Sequence, residues 1–144
     1  MMITIHASLH PRPAQLPPAG EVAIHGRRVV HWAFDAAAAQ NSWEVTFDGA
    51  LEQLEKVPRL YAEPDGSWLL VSAVGESPRW QMEGNLYDGG SRLAYCDLKG
   101  SCPVTTWEQL LACFGWPHQP LLLQLTHAAV FVDEADYRGV VAGT

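Results

Sequence analysis

Three cysteines and six histidines are the side chains of this sequence best suited to holding a metal ion. Structural zinc takes a tetrahedral set of ligands, which proteins commonly offer as close pairs such as Cys-x-x-Cys. Cys96, Cys102, Cys113 and His118 show no such paired spacing. A small thiol beside an apolar helical stripe, such as Cys113, is ordinarily a core residue. The sequence therefore predicts no metal site, and no motif in it indicates a cofactor.

A nucleophilic enzyme needs an activated serine or cysteine, and the sequence shows no motif for either. No Gly-x-Ser-x-Gly elbow occurs. Cys96 is the thiol of most interest, because the predicted strand pairing places it opposite Glu83. A neighbouring carboxylate raises the pKa of a thiol and so lowers the fraction of reactive thiolate. These observations favour a protein that is not an enzyme.

Asp97 is a carboxylate with an unusual predicted position. The register of its hairpin turns it toward the face that carries Trp80 and Met82. An inward carboxylate at a strand end can be an acid catalyst, but it can equally accept hydrogen bonds from neighbouring backbone, and we favour the second role. The alternative hypothesis for function is a small-molecule-binding protein or enzyme with a pocket between the sheet and helix 105–114, lined by Tyr95, Asp97, Cys102 and His118.

Six tryptophans are many for a chain of 144 residues. Tryptophan is highly buried on average, but aromatic side chains with a polar group are also enriched at interface hot spots. Trp68 lies beside a turn, on a strand that is apolar on both faces. Our leading hypothesis is therefore a non-enzymatic module that binds a protein partner or a second copy of itself. Its apolar patch would consist of Tyr61, Trp68, Leu70 and Tyr87.

The strand that carries Trp68 belongs to a hairpin with strong turn chemistry. Glu63-Pro64-Asp65-Gly66 fits a type I turn followed by a left-handed glycine. It joins a strand at 59–63 to one at 67–74, in which both sets of alternating side chains are apolar. Such a strand is either covered on both sides, or covered on one side and open to a partner on the other.

Another hairpin holds Tyr95 and Asp97. Polar and apolar side chains alternate over 79–87, which predicts a strand. Gly89-Gly90 permits a tight two-residue turn, and 92–99 forms the second strand of the hairpin. This register places Leu86 opposite Leu93, Tyr95 opposite Gly84 and Glu83 opposite Cys96. An aromatic ring above a glycine covers backbone that has no side chain of its own.

Two main helices are predicted, at about 48–57 and 105–114. Asp48 can cap the first, and Thr105 with Glu108 can form a capping box at the start of the second. The second helix carries the clearest apolar stripe, formed by Trp107, Leu110, Leu111 and Phe114.

Residues 1–20 contain four prolines. Proline removes backbone donors and fixes φ, so we predict an irregular N-terminal arm over 1–20. Residues 21–144 then form one α+β domain, a predominantly antiparallel, curved sheet of hairpins with the two main helices packed on it. Shorter helical segments are indicated at 36–39 and after Asp133.

Composition limits the partners and the compartment. A formal net charge of −7 disfavours a nucleic-acid binder, which needs a concentrated basic surface. No apolar run approaches the ~20 residues that span a bilayer, so no membrane association is expected. An odd number of cysteines, without a signal-peptide pattern, favours a cytoplasmic protein with free thiols.

Overall fold

The computed structural model describes residues 1–37 and 43–142, which form one antiparallel sheet and three helices. The strands are β1 (Met2–Pro11), β2 (Pro18–Ile24), β3 (Arg27–Trp32), β4 (Leu60–Ala62), β5 (Ser67–Val71), β6 (Gln81–Asp88), β7 (Leu93–Pro103), β8 (Leu121–Leu125) and β9 (Phe131–Asp133). The helices are α1 (Phe47–Glu55), α2 (Val104–Ala112) and α3 (Glu134–Val141). The strand order is β2-β3-β9-β8-β1-β7-β6-β5-β4.

The predicted α+β class and curved antiparallel sheet are confirmed. The helical turn predicted at 36–39 lies partly outside the described residues.

The centre of the sheet is β1, which pairs with β7 on one side and with β8 on the other. The predicted irregular arm is therefore wrong for Met2–Pro11. Burial alternates along β1 from Met2 to Leu9, with Ile3, Ile5, Ala7 and Leu9 buried, and His10 and Pro11 at the end of the strand are buried as well. The prolines do not interrupt this strand, because Pro11 is its last residue and Pro18 already begins β2. Proline is tolerated at strand ends, where fewer ladder hydrogen bonds are lost.

The two faces of the sheet are covered differently. One face, here named the core face, carries the buried side chains of β1, and the register brings Leu9 beside both Cys96 and Leu123. The buried hydrophobic residues of all three helices belong to the same continuous core. The opposite face, here named the open face, carries the alternate residues of the same strands, including Thr4, His6, Ser8, His10, Asp97, Lys99 and Gln124.

Helix α2 contributes the predicted apolar stripe to the core. Trp107, Leu110 and Leu111 of α2, together with Phe114 just after its end, are each at most 1 % exposed. The predicted capping box is wrong, since the helix begins at Val104 and its N-cap residue, Pro103, makes no side-chain hydrogen bond. Proline suits this position because its fixed φ is compatible with the start of a helix.

The other two helices also depart from the prediction. Thr46, not Asp48, caps α1, because its Oγ1 accepts a hydrogen bond from the Gly49 amide at 3.0 Å. Helix α3 forms where a shorter helical segment was predicted after Asp133, and it brings the number of helices to three instead of the two main ones expected. It is tied to α2 by the buried carboxylate of Glu134, which accepts a hydrogen bond from Trp107 Nε1 at 2.9 Å. None of the helices in the described part of the chain is long and apolar enough to cross a membrane.

The hairpin of β6 and β7 forms in a register that differs from the predicted one. Leu86 pairs with Cys96 and not with Leu93. The connection is longer than the predicted two-residue turn, and it is closed by a hydrogen bond from the Gly89 amide to the Arg92 carbonyl at 2.9 Å. A shift by an odd number of residues exchanges the two faces of a strand. The side chains of β7 from Tyr95 onward therefore point to the face opposite the predicted one, whereas Leu93, on the other side of a register shift, is buried in the core.

This exchange changes which side chains meet. Tyr95 and Asp97 lie on the open face, away from Met82. Gly84 is covered by the ring of Trp68 from β5 instead of by Tyr95, since a β-carbon at Gly84 would overlap Trp68 Cζ2. An aromatic ring does cover this glycine, but it comes from the strand on the other side of β6.

Candidate functional site

The predicted interaction patch is divided between the two faces of the sheet. Trp68 is 4 % exposed and Leu70 is fully buried, and both lie on the core face. Tyr61 is 66 % exposed on the edge strand β4, and Tyr87 is half-buried, and both lie on the open face. The four side chains therefore do not form one exposed patch, because the Trp68 side of β5 is covered by the chain itself.

The predicted pocket residues are divided in the same way. Tyr95 and Asp97 are half-buried on the open face. Cys102 is fully buried on the core face, and His118 is exposed in the loop that follows α2. The predicted pocket between the sheet and α2 is replaced by packed core, in which Trp107 is fully buried. Only the pair on the open face is brought together at a surface cleft.

The three cysteines are buried thiols. Burial raises the pKa of Cys102 to about 12 and that of Cys113 to about 11, and it also raises the pKa of Cys96. Glu83 faces Lys99 and not Cys96, so the predicted thiol–carboxylate pair is wrong. Thiols that stay protonated are poor nucleophiles. Within the described part of the chain, no group of three or more His, Cys, Asp or Glu side chains is arranged to hold a metal ion.

The open face carries a cleft of about 420 Å³ where β7, β1 and β8 lie side by side. The polar and aromatic side chains that line it are Ser8, His10, Tyr95, Asp97, Gln124 and Thr126, and we name it the polar cleft. The register places Ser8 between Asp97 on one neighbouring strand and Gln124 on the other. Because side chains alternate with a period of two residues, β1 can present this polar row while its other face builds the core.

A serine and a histidine are in hydrogen-bond contact within the polar cleft. Ser8 Oγ lies 2.8 Å from His10 Nε2, and a longer contact of 3.5 Å joins Ser8 Oγ to Gln124 Oε1. Residues two apart on a strand share a face, which is why the hydroxyl lies beside the imidazole. A base next to a hydroxyl is the arrangement that can activate a serine nucleophile.

Aromatic rings enclose His10. Its ring stacks on Tyr95 with centroids 5.6 Å apart and an interplanar angle of 16°, and Phe34 and Phe131 approach it in T-shaped geometry. Only 4 % of its surface is exposed. Burial lowers the pKa of His10 to about 4, so the imidazole is neutral at neutral pH. General bases work best with a pKa near the working pH, and His10 is therefore a weak base.

The stack continues from His10 through Tyr95 to Tyr87. The two tyrosine rings lie 4.4 Å apart with an interplanar angle of 16°, so the three rings form a column of nearly parallel planes. Burial raises the pKa of Tyr95, and the nearby carboxylate of Asp97 raises it further. The Tyr95 phenol consequently keeps its proton beside a carboxylate that can accept hydrogen bonds.

A strained turn forms part of the rim of the polar cleft. Ala129 has a φ of +55°, and its amide donates a hydrogen bond to the Leu125 carbonyl at 2.8 Å. A left-handed alanine costs roughly 1–2 kcal/mol, so the surrounding structure holds this conformation. Residues in such conformations cluster at ligand-binding sites. Both residues line the cleft, and the turn that contains them connects β8 to β9.

Sequence reasoning misses Ser8, His10 and Gln124 as site residues. The first two fall within the predicted irregular arm, and Gln124 interrupts an otherwise apolar strand. For Ser8 and His10, the sequence signal is the alternation of apolar and polar residues over 2–11. That pattern alone places Ser8 and His10 on the polar face of a strand.

Comparison with known proteins adds no family to this description: no protein-family model matches the chain, and searches of curated proteins and of solved structures return no match. The chemical character of the polar cleft follows from its own geometry. It combines a neutral hydroxyl–imidazole pair, one carboxylate and a column of stacked aromatic rings.

Proposed function

We propose that this protein binds a small planar molecule carrying N–H donors in the polar cleft, without transforming it chemically. The observation that carries the proposal is the neutral Ser8–His10 pair, 2.8 Å apart, held by a column of stacked rings and placed beside the carboxylate of Asp97. The proposal keeps the small-molecule alternative drawn from the sequence and moves its site from α2 to the open face.

The weakness of His10 as a base favours binding over catalysis. With a pKa lowered by burial to about 4, the imidazole of His10 takes a proton from a hydroxyl poorly. Ser8 is therefore not activated to the degree that covalent catalysis requires. The same burial and ring contacts fix both groups in place, and a fixed hydroxyl and imidazole can recognise a ligand through directed hydrogen bonds.

The lining of the polar cleft favours N–H donors and disfavours anions. Among the described residues, Asp97 is the only charged side chain that lines it. An ionised carboxylate only accepts hydrogen bonds, whereas Ser8 and Gln124 both accept and donate them. His10 and Tyr87 stack on the Tyr95 ring from either side, so a planar ligand can meet this ring at its edge, in the edge-to-face arrangement that aromatic pairs favour. A volume near 420 Å³ is at the small end of ligand pockets and fits a one- or two-ring molecule.

Isothermal titration calorimetry with benzamidine, adenine and nitrobenzene tests this proposal. Benzamidine and adenine are planar and carry N–H donors, whereas nitrobenzene is planar and has none. We expect the first two to bind and nitrobenzene to bind at least about tenfold more weakly, because it offers no N–H group to Asp97. Equal affinity for all three molecules, or binding of none, would contradict the proposal.

Two charge-removing substitutions locate the binding. Asp97→Asn keeps the shape of the side chain, and we expect it to weaken benzamidine binding about tenfold. Asp136→Asn, on the exposed surface of α3, is the matched control and should leave the affinity unchanged. An equal effect of both substitutions would place the binding elsewhere. Hydrolysis of nitrophenyl esters that Ser8→Ala abolishes would show that the pair is catalytic instead.

A second candidate function is association with another copy of the chain at one edge of the sheet. Tyr61 is 66 % exposed on the edge strand β4, and Val74 is fully exposed after the end of β5. An edge strand presents backbone groups with which a second copy can extend the sheet. Sedimentation velocity of the wild type and of Tyr61→Ser tests this association. A dimer that the substitution dissociates supports it, and a monomeric wild type overturns it.

A further inference from the structure

A second cavity, of about 790 Å³, lies next to the turn between β2 and β3, the turn between β8 and β9, and one end of α3. Four side chains that can carry positive charge line it: His6, His25, Lys99 and His127. We name it the basic cavity. No Asp or Glu is among the described residues that line it, which separates it in charge from the polar cleft.

The charge of the basic cavity contrasts with that of the whole chain. The formal net charge is −7, and the sequence contains two lysines and six histidines. One of those lysines and half of those histidines meet here. In an acidic protein, a lysine joined by three imidazoles that can donate hydrogen bonds, with no carboxylate in the lining, gives a local environment that favours anions.

Separate parts of the chain bring these groups together. His6 and Lys99 occupy paired positions of β1 and β7, so their side chains emerge next to each other on the open face. His127 approaches the ring of His6 edge-on, with centroids 5.3 Å apart. His25 stands at a φ of +50° in the tight turn that it forms with Gly26. The tight turn fixes the backbone that presents His25 to the cavity.

The carboxylates beside Lys99 are not in ion-pair contact with it. Asp97 lies two positions away on β7, and Glu83 faces Lys99 across the β6–β7 pairing. Neither residue lines the basic cavity. Among the described residues, Lys99 takes part in no ion pair within 4.0 Å. Its ammonium group is exposed and therefore accessible to a ligand.

The remaining wall of the basic cavity is mainly apolar. Its larger aliphatic side chains are Met2, Ile5, Ile24, Leu125 and Val141, and the hydroxyl-bearing residues Thr4, Thr126 and Tyr137 also line it. A small inorganic anion would meet the cationic groups and leave this wall in contact with water. A carboxylate with an apolar body meets the cations with one end and covers the wall with the other, which adds the free energy of apolar burial. We infer that the basic cavity is a binding site for a small carboxylate with an apolar body, distinct from the polar cleft.

Calorimetric titration with a series of fatty acids tests this inference. Affinity should rise from butanoate through hexanoate to octanoate, by about two- to fourfold for each added CH₂ group. Octanol and octylamine have the same body without the negative charge, and they should bind at least about tenfold more weakly than octanoate. The inference is overturned if octanoate does not bind, if octanol binds equally well, or if inorganic phosphate binds as tightly as octanoate.

The two lysines of the chain supply a matched pair of variants. Lys99→Gln should weaken octanoate binding about tenfold. Lys56→Gln changes the other lysine, which is exposed at the C-terminal end of α1, and it should have no effect. Equal affinities of the two variants would overturn the inference. Ser8→Ala, which alters the polar cleft, should bind octanoate like the wild type, so that this inference and the proposed function can fail separately.

Discussion

The core face and the open face of the sheet are built from the same strands but differ in what they bury. On β1, Leu9 is fully buried beneath the helices, whereas its neighbour Ser8 is partly exposed in the polar cleft. One strand thus supplies hydrophobic packing from one set of alternating positions and hydrogen-bonding groups from the other. The division implies that stability and ligand binding can be changed independently, by substitutions at adjacent positions.

Substitution of these two neighbours should give the largest difference between the faces. Leu9→Ala leaves a cavity in the core, and we expect it to lower the free energy of unfolding by about 2–5 kcal/mol. Ser8→Ala should lower it by less than about 1 kcal/mol while weakening ligand binding in the polar cleft. Urea denaturation measures both changes, and an equal loss of stability would contradict the division between the faces.

His10 is an exception, since it is a titratable group buried on the open face. Burial lowers its pKa from 6.5 to about 4, so the folded state binds a proton less well than the unfolded state does. The resulting stabilisation is fully present above a pH of about 6.5 and is lost as the pH falls toward 4. A shift of this size corresponds to at most about 3 kcal/mol.

Denaturation across this pH range tests the role of His10. His10→Gln should flatten the part of the stability profile between pH 4 and pH 6.5, because the titrating group is gone. His118→Gln removes an exposed histidine and should leave the profile as in the wild type. If all three proteins lose stability with the same slope, the pH dependence does not come from His10.

Gly84 tests the packing of the core face at a smaller scale. A β-carbon there would overlap Trp68 Cζ2 and lie 2.6 Å from the carbonyl oxygen of Asp97, which backbone pairing holds in place. We expect Gly84→Ala to destabilise the fold by about 1–3 kcal/mol. Gly139→Ala, where an added β-carbon meets nothing within 4 Å, should instead stabilise α3 by up to about 1 kcal/mol. Thermal unfolding of both variants decides whether crowding at Gly84 is real.

The smallest effect is expected at the edge of the open face. Tyr61 is 66 % exposed, so Tyr61→Ser should change the free energy of unfolding by no more than about 0.5 kcal/mol. Chemical denaturation at low protein concentration measures this change without a contribution from association. A much larger loss would mean that Tyr61 contributes to the fold and not to a free surface.

Features encoded by neighbouring residues could be predicted from the sequence. The turn ending at Gly66 forms as expected, with a φ of +99° and a hydrogen bond from its amide to the Glu63 carbonyl at 3.0 Å. The apolar stripe of α2 likewise packs in the core, with Trp107 fully buried. Turn chemistry and helical periodicity act over a few residues, so a single sequence reveals them.

Features that depend on distant parts of the chain could not be predicted in the same way. The prolines near Pro11 predict irregular structure, whereas the alternation of apolar and polar residues in β1 predicts a strand. The local sequence does not decide between the two, because it does not show that β7 and β8 lie on either side of β1. The β6–β7 register depended on the length of one turn, and an odd shift moved Asp97 to the other face. Both wrong predictions concern the candidate site, because Ser8 lies on β1 and Asp97 lies on β7. The sequence therefore does not predict that these two residues meet.

The central position of β1 also determines when the chain can fold. Leu9 pairs with Cys96 and with Leu123, so the middle of the sheet closes only after segments about a hundred residues apart have met, which is typical of slow-folding topologies. At translation rates of roughly 5–20 residues per second, β1 waits several seconds for β7 and β8 to leave the ribosome. During that interval its apolar row from Ile3 to Leu9 is unpaired, as in the segments that chaperones protect from aggregation.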